Sequence, residues 1–509
     1  MKKLNLTVAV LALFACVTSN AEPWVDTSNT FLRANIQLLA DKGVITTPVT
    51  TFPLMWHDIA KDISQAYLFK LDKPTQQALL YVRHQLRLAK HNQKTLSLDL
   101  AAKDKRFTSF GEDFRTKNNA KISTTYIGDS IAAKISTTYS VSAEENEDKL
   151  RFDGSYGAFF WGNWVFSAGM QDRWWGPGID SSLSVTNNAR PMPALALSRK
   201  SAEPVTIPWT EFSIPWTVTT FMGQMDDKRV VKDALLWGFR LNFKPAQNWE
   251  IGITRLAQWA GKDRPGNFST FIDVLKGLDN CGGNGPTVDE CAAGKEPGNQ
   301  LAGYDLRWST TLFNHPVAVS ATMIAEDGDR KGGLSIFGEE RYQANIETQI
   351  TAFNYHWKLY LEGTDTYALC KDGHNGDGTS SIGDCYYEHH IYQTGMRYHG
   401  KTVGSLYDND ATSLVMGAIS QSASNTQFEF KARWLQLNKD NHDKAIDNKL
   451  IGNPLTPIAE NMLMLSAKVQ HSYRNWRLTF GTELSRSRFN NNKSDDNNSN
   501  LFIKLEYNQ

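Results

Sequence analysis

Between Gln171 and Arg199 two adjacent tryptophans, Trp174 and Trp175, run into Gly176-Pro177-Gly178, with Asp172 and Arg173 before them and Asn187, Asn188 and Arg190 after. These residue types suit the binding of saccharides. Indole faces stack on the C–H faces of sugars, while carboxylate, guanidinium and amide groups hydrogen-bond hydroxyls. Glycines around a proline give a rigid turn on which flat side chains can be presented. The same residues also make a packing corner or part of an interfacial aromatic girdle, and spacing alone weighs the two uses evenly. The set from Asp172 to Gly178, with Asn187, Asn188 and Arg190, is therefore a candidate ligand site or a structural motif.

Catalytic groupings are scarcer. Gly128-Asp129-Ser130 looks like the nucleophile block of one lipase class, but no Asp-x-x-His supplies its partner. Gly-x-Ser-x-Gly and His-Glu-x-x-His do not occur. Paired carboxylates for glycoside cleavage are defined by a spatial separation of about 5–10 Å, which a sequence does not show. Asp372 to Gly378 hints at a calcium loop, yet the best register puts Gly373 at the first ligand position. Glu388-His389-His390 reads as a loop edge or girdle. The expectation is a protein with no catalytic set, no metal and no cofactor.

The elements that must position these residues fall into three segments. Met1-Lys2-Lys3, an apolar run from Leu4 to Val17 and Ser19-Asn20-Ala21 read as a secretory signal over 1–21. A competing lipoprotein box at Leu13-Phe14-Ala15-Cys16 has bulky Phe14 where a small residue is usual. From 22 to 95 the period is helical: Phe31, Leu32, Ile36, Leu38 and Leu39 stop at Gly43, a short helix is expected near Asp58 to Phe69, and Pro74 opens a third. Three such helices bury little alone and need a surface to dock on.

From about Leu96 the period becomes two and persists to the end. Trp237, Phe239, Leu241 and Phe243 alternate with Gly238, Arg240, Asn242 and Lys244, and residues 428–434, 462–470 and 476–485 repeat the pattern. A soluble sandwich alternates too. Aromatics ending the apolar face and charges on the other face favour a membrane barrel over 96–509. The inward set is Arg240, Lys244, Glu250, Asp305, Arg307, His356, Lys358, Glu362, Glu429, Lys431, Arg433 and Arg477. Its mixed sign suits a lumen filled by salt bridges or a plug as well as a merely solvated face. Leu501, Ile503, Leu505 and Tyr507 close the chain as an aromatic-tipped amphipathic strand. Ala120–Tyr126 recurs identically at Ala133–Tyr139, which suits two strands of a hairpin.

After the leader no apolar run is long enough for a transmembrane helix. Lys plus Arg equals Asp plus Glu at 54 each, so net charge gives no attraction to nucleic acid. Of five cysteines, Cys16 leaves with the leader. Cys281 and Cys291, and Cys370 and Cys385, lie close in sequence, so local disulfides are the economical choice among three connectivities. Counting strands back from the C-terminus gives long outer loops at 489–500, 438–461 and 400–411. It then places the Cys370–Cys385 loop on the periplasmic side, where its length is unexpected.

The 171–199 stretch, with Leu32-Arg33, Leu38-Leu39-Ala40-Asp41-Lys42-Gly43-Val44-Ile45 and Thr51-Phe52-Pro53-Leu54, resembles the Wzi capsule-assembly family. These are outer-membrane β-barrel proteins that hold surface polysaccharide. The resemblance implies an all-β transmembrane barrel of about eighteen strands with a small N-terminal helical bundle, although the residue count would also suit sixteen. It implies a lectin-like partner for capsular or extracellular polysaccharide in the outer membrane of a Gram-negative bacterium. The alternative is a porin for small solutes or saccharides. A monomer in contact with outer-membrane lipid is expected, with the helices either plugging the lumen or docking a periplasmic partner.

Overall fold

Period-two alternation builds the wall of a closed antiparallel barrel. The structure, a computed structural model, describes residues 22–509 apart from 113–114, 144–147, 209, 211, 277–297, 314, 327–338, 369–385, 390, 421–424, 444, 446, 449 and 491–494. The expected leader, residues 1–21, and Cys281, Cys291, Cys370 and Cys385 lie outside the described residues. The wall starts with β1 (Lys94–Ala101), β2 (Asn119–Ile127), β3 (Ile131–Ser140), β4 (Tyr156–Trp161), β5 (Trp164–Gly169) and β6 (Ala194–Arg199). It continues with β7 (Trp216–Gln224), β8 (Leu235–Ala246), β9 (Trp249–Trp259), β10 (Gly298–Leu312), β11 (His315–Glu326) and β12 (Glu339–Ala352). The last six are β13 (Tyr355–Asp365), β14 (Thr412–Ser420), β15 (Thr426–Leu437), β16 (Glu460–Tyr473), β17 (Trp476–Phe489) and β18 (Asp496–Asn508).

Among the described residues these eighteen strands close through β18 against β1, with Leu505 opposite Leu98. A two-residue piece, Leu150–Arg151, shares the place of β4 beside β3. The internal repeat pairs with itself, Ala120 opposite Tyr139 and Tyr126 opposite Ala133, so two copies of one strand make the β2–β3 hairpin.

An even strand number puts both ends of the chain at one rim. That rim carries the tight turns, such as Gly162 between β4 and β5 and Arg474-Asn475 between β16 and β17, together with the longer β6–β7 connection; the other rim carries most of the long connections. Outward positions stay exposed, as Leu96, Ile122, Leu465 and Leu501 do, because a bilayer and not a protein core covers them. Paired aromatics such as Trp249–Trp308 and Trp476–Tyr507 mark the short-turn edge of this band.

Inward charges are neutralised locally. Arg240 holds Asp305 at 2.6 Å, Lys431 holds Glu429 at 2.9 Å and Arg477 holds Glu506 at 2.8 Å. Others reach across the lumen to the filling. Arg307 binds both Glu347 of the wall and Asp41 of the first helix, and Glu250 accepts from the backbone N–H groups of Val49 and Thr50. The lumen is thus packed and not merely solvated at these positions.

Helices α1 (Thr30–Asp41), α2 (Trp56–Gln65) and α3 (Lys73–Ala89) supply part of that filling. Asn29 caps α1 by accepting from Leu32 N–H, and Asp72 caps α3 from Thr75 N–H. Gly43, at φ +73°, ends α1 where an L side chain would be strained. α1 buries residues on nearly all sides, because α3 covers one face and the wall with the inward connections covers the rest. Arg83 of α3 donates to the carbonyls of Ile63 and Ala66, tying the end of α2. That helix stops at Gln65, earlier than the expected Phe69; Leu68–Lys70 forms a separate 3-10 turn.

Two loop expectations need correction. Residues 366–411 are one connection at the long-loop rim, joining β13 to β14, with no spanning strand among its described residues. The segment 386–411 folds inward instead, burying Tyr386, Tyr387, Tyr392 and Met396, so the back-count inserted a strand that the described residues do not contain. The connection expected at 489–500 is shorter, because polar residues from Asp496 onward already pair with β17.

Candidate functional site

The tryptophan pair lies inside the barrel. Residues 170–193 leave the long-loop end of β5, fold down into the lumen and return to β6. Within the lumen Trp174 and Trp175 form a two-residue strand against Phe52 and Thr51 of the N-terminal segment. Material entering from opposite rims therefore meets in one small antiparallel ribbon.

Each motif residue has a defined packing or hydrogen-bond partner. Trp174 is fully buried, its indole N–H donates to Gly178 O at 3.0 Å, and its ring meets Phe110 edge-on. Arg33 of α1 donates to the same carbonyl at 2.6 Å and lies among the rings of Phe110, Trp174 and Phe52, at 4.5, 5.2 and 5.7 Å. Burial lowers the Arg33 pKa to about 10, with nearby carboxylates opposing the shift. Trp175 packs edge-on against Phe221, on which Arg173 also sits. Gly176 adopts φ +111° and donates its N–H to Thr50 O at 3.0 Å. Pro177 O faces Asn345, and a Cβ on Gly178 would lie 2.1 Å from Ser181 O.

Beyond the turn the chain is clamped by charge. The Glu362 carboxylate of β13 accepts from the backbone N–H groups of Ile179, Asp180 and Ser181. Asp180 is bound by Arg433 at 2.7 Å, by Lys431 at 3.3 Å and by the Tyr407 hydroxyl. Burial alone would raise the Asp180 pKa, but Arg433 and Lys431 overcome it and hold the carboxyl well below the usual range. Asn188 donates to Thr402 O and accepts from Thr108 N–H, and Tyr387 donates to Leu183 O at 2.7 Å. The 386–411 segment thus seals the motif from the outer side.

Asp172 and Asn187 line, and Arg190 flanks, a polar space beside the motif. Asp172 pairs with Arg115 at 2.7 Å, and Arg190 forms a two-bond bridge to Asp153. Burial pushes the Asp172 carboxyl up, against the pull of Arg115. The cavity runs beside β1–β4 between Glu22, Lys134, Arg151 and Asn187, and its volume is about 90 Å³. Its lining is polar and it has room for several waters.

Arg33, Arg115, Asp180, Glu362 and Tyr407 complete the constellation and were not singled out from sequence as part of it. Asp180 sits within the conspicuous stretch, and Arg33 within the N-terminal anchor. Nothing in its local spacing marks Glu362 as the acceptor for a segment 183 residues away. The cysteine pairings remain outside the described residues.

Known proteins resemble this chain. The sequence profile of the capsule assembly protein Wzi family matches residues 87–501. The chain belongs to that family. A Klebsiella pneumoniae relative, described only as an uncharacterized 55.8 kDa protein in the cps region, is 30% identical over 312 residues, which is 58% of this chain. The match spans 57% of that relative's length. The solved Wzi barrel of Escherichia coli superposes with a TM-score of 0.76 at 22% identity, covering 94% of this chain and 98% of that one. That protein is described as a carbohydrate-binding outer-membrane barrel involved in group 1 capsule assembly. At this identity the likeness establishes the family fold.

Proposed function

We propose that the protein is a non-enzymatic, lectin-like component of the outer membrane that attaches or organises exported capsular or extracellular polysaccharide at the cell surface. Family membership carries the reading, since the matched profile covers most of the chain. The lumen supports it. Helices from one rim and three connections from the other, 102–118, 170–193 and 386–411, occupy the space that a general porin keeps open. The solved Escherichia coli relative binds carbohydrate, and its fold accounts for nearly all of this one.

In this reading 1–21 is a cleaved signal, 22–95 is a periplasmic plug, and 96–509 is the outer-membrane barrel. The residues from Asp172 to Gly178, with Asn187, Asn188 and Arg190, hold the filling in place, and the outer loops meet the polymer. Local disulfides Cys281–Cys291 and Cys370–Cys385 restrict two of those loops.

A deletion strain tests the function. Polysaccharide should still be made and exported but be shed into the medium, as measured by comparing cell-bound and released polymer. Normal surface polymer with impaired uptake of small solutes would overturn the lectin reading in favour of a channel.

A further inference from the structure

The β9–β10 connection carries an amphipathic helix, α4 (Phe268–Lys276), which lies on the outside of the wall. It packs where lipid would otherwise touch the barrel. Phe271 contacts Trp237 edge-on at 5.8 Å and Trp259 at 5.0 Å, and Val274 is fully buried among them. Both tryptophans are outward positions of β8 and β9.

The height of this contact follows from the strand. From Trp249, in the short-turn girdle, to Trp259 is about ten residues; at ~3.3 Å each and the usual tilt of roughly 40°, that is about 25 Å, the height of a lipid-facing apolar band. The Trp237–Trp259 cluster is therefore the outer edge of the band. α4 sits on it.

A cation explains why the helix stays there. Arg255 faces outward between Ile253 and Ala257, below that edge, where an uncompensated guanidinium is costly. It donates to Leu275 O at 2.7 Å and Val274 O at 2.7 Å, carbonyls in the last turn of α4, and to Gln300 Oε1 at 2.6 Å. Gln300 in turn donates to Val274 O at 2.9 Å. The positive group meets the negative end of the helix, and both lose their need for water.

With Phe271 and Val274 on the wall, two stripes remain. Ser269, Asp273 and Lys276 form a polar one. Phe268, Ile272 and Leu275, at helical spacing, form an apolar one that none of the described residues covers fully; Phe268 is 77% exposed. This stripe continues the apolar band of the wall sideways at the height of the interface.

We propose that α4 is an interfacial helix embedded in the outer leaflet, with Phe268, Ile272 and Leu275 among lipid acyl chains and Arg255 as its clamp. Continuity with the lipid-covered wall selects lipid as the occupant, in the manner of amphipathic helices lying in an interface. The inference rests on the barrel standing in a bilayer and not on the polysaccharide reading.

The test keeps the full-length protein and its cysteines. p-Acetylphenylalanine replaces Phe268, Ser269, Ile272, Asp273, Leu275 or Lys276 singly and carries a nitroxide, in vesicles of phospholipid and lipopolysaccharide. Collisions with oxygen should exceed those with a water-soluble nickel chelate at 268, 272 and 275, with the order reversed at 269, 273 and 276. Nickel dominance at all six overturns the proposal. So does shielding at 268 that appears only with added polysaccharide, or that vanishes as protein is diluted in lipid, since these mark sugar or a second copy as the occupant. Arg255→Gln, checked for heat-modifiable mobility, should shift the 272 label toward nickel; an unchanged ratio overturns the clamp.

Discussion

At the scale of single residues, the buried charges are the most sensitive points. Asp180 is an anion held by Arg433 and Lys431 at the centre of the filling. Its folded pKa is depressed, so its contribution to stability is fully present above the ordinary carboxylate range near pH 4 and is lost as pH falls toward the folded value. The heat-modifiable transition of the intact barrel should move to lower temperature between pH 5 and pH 3. Asp180→Asn leaves two cations facing a neutral amide, and should cost about 3 kcal/mol at pH 7 while flattening that pH dependence. Gly176 is a backbone case. At φ +111° a side chain is strained, and a Cβ would also meet Ser182 Oγ at 3.3 Å, so Gly176→Ala should lower stability by roughly 1–3 kcal/mol in the same gel assay.

Among elements, the inward connections and the helices depend on each other. Arg33 of α1 and Gly178 of the 170–193 segment share one hydrogen bond and an aromatic surround, while Thr51–Phe52 completes the ribbon. Removing residues 22–92 should therefore unseat the motif as well as empty the short-turn end. Single-channel recording should give little steady conductance for the full chain and a larger, noisy one for the deletion; equal large conductance in both would mean the filling does not block passage. The helices themselves were legible locally, from Leu and Ile spacing, Pro74 and Gly43. Their docking was not, because Asp41 and Arg307 are distant in sequence and only the closed wall brings them together.

For the whole molecule, the lumen is filled and the motif tryptophans are buried, so polymer retention falls to many weak contacts on the outer loops. Apparent affinity for isolated polysaccharide should then climb steeply with chain length on a surface carrying many copies, as multivalent binding does. Immobilised full-length protein probed with size-fractionated polymer would show it. Affinity already saturated by a short oligosaccharide would instead locate a single tight site on one barrel.

The sequence by itself determined the wall, the three N-terminal helices and the inward direction of the charges. Each depends on periodicity that a residue shares with its near neighbours, and lipid outside with polar filling inside enforces that pattern strand by strand. Tertiary structure decided what Trp174 and Trp175 touch. An indole beside glycines serves a sugar or a core equally well, and the difference is made by remote groups: Phe110, Arg33 and the Glu362 carboxylate. The path of 386–411 was decided in the same way. A loop rich in tyrosine turns inward only when a lumen offers it buried carbonyls, and no local spacing records where those carbonyls will be.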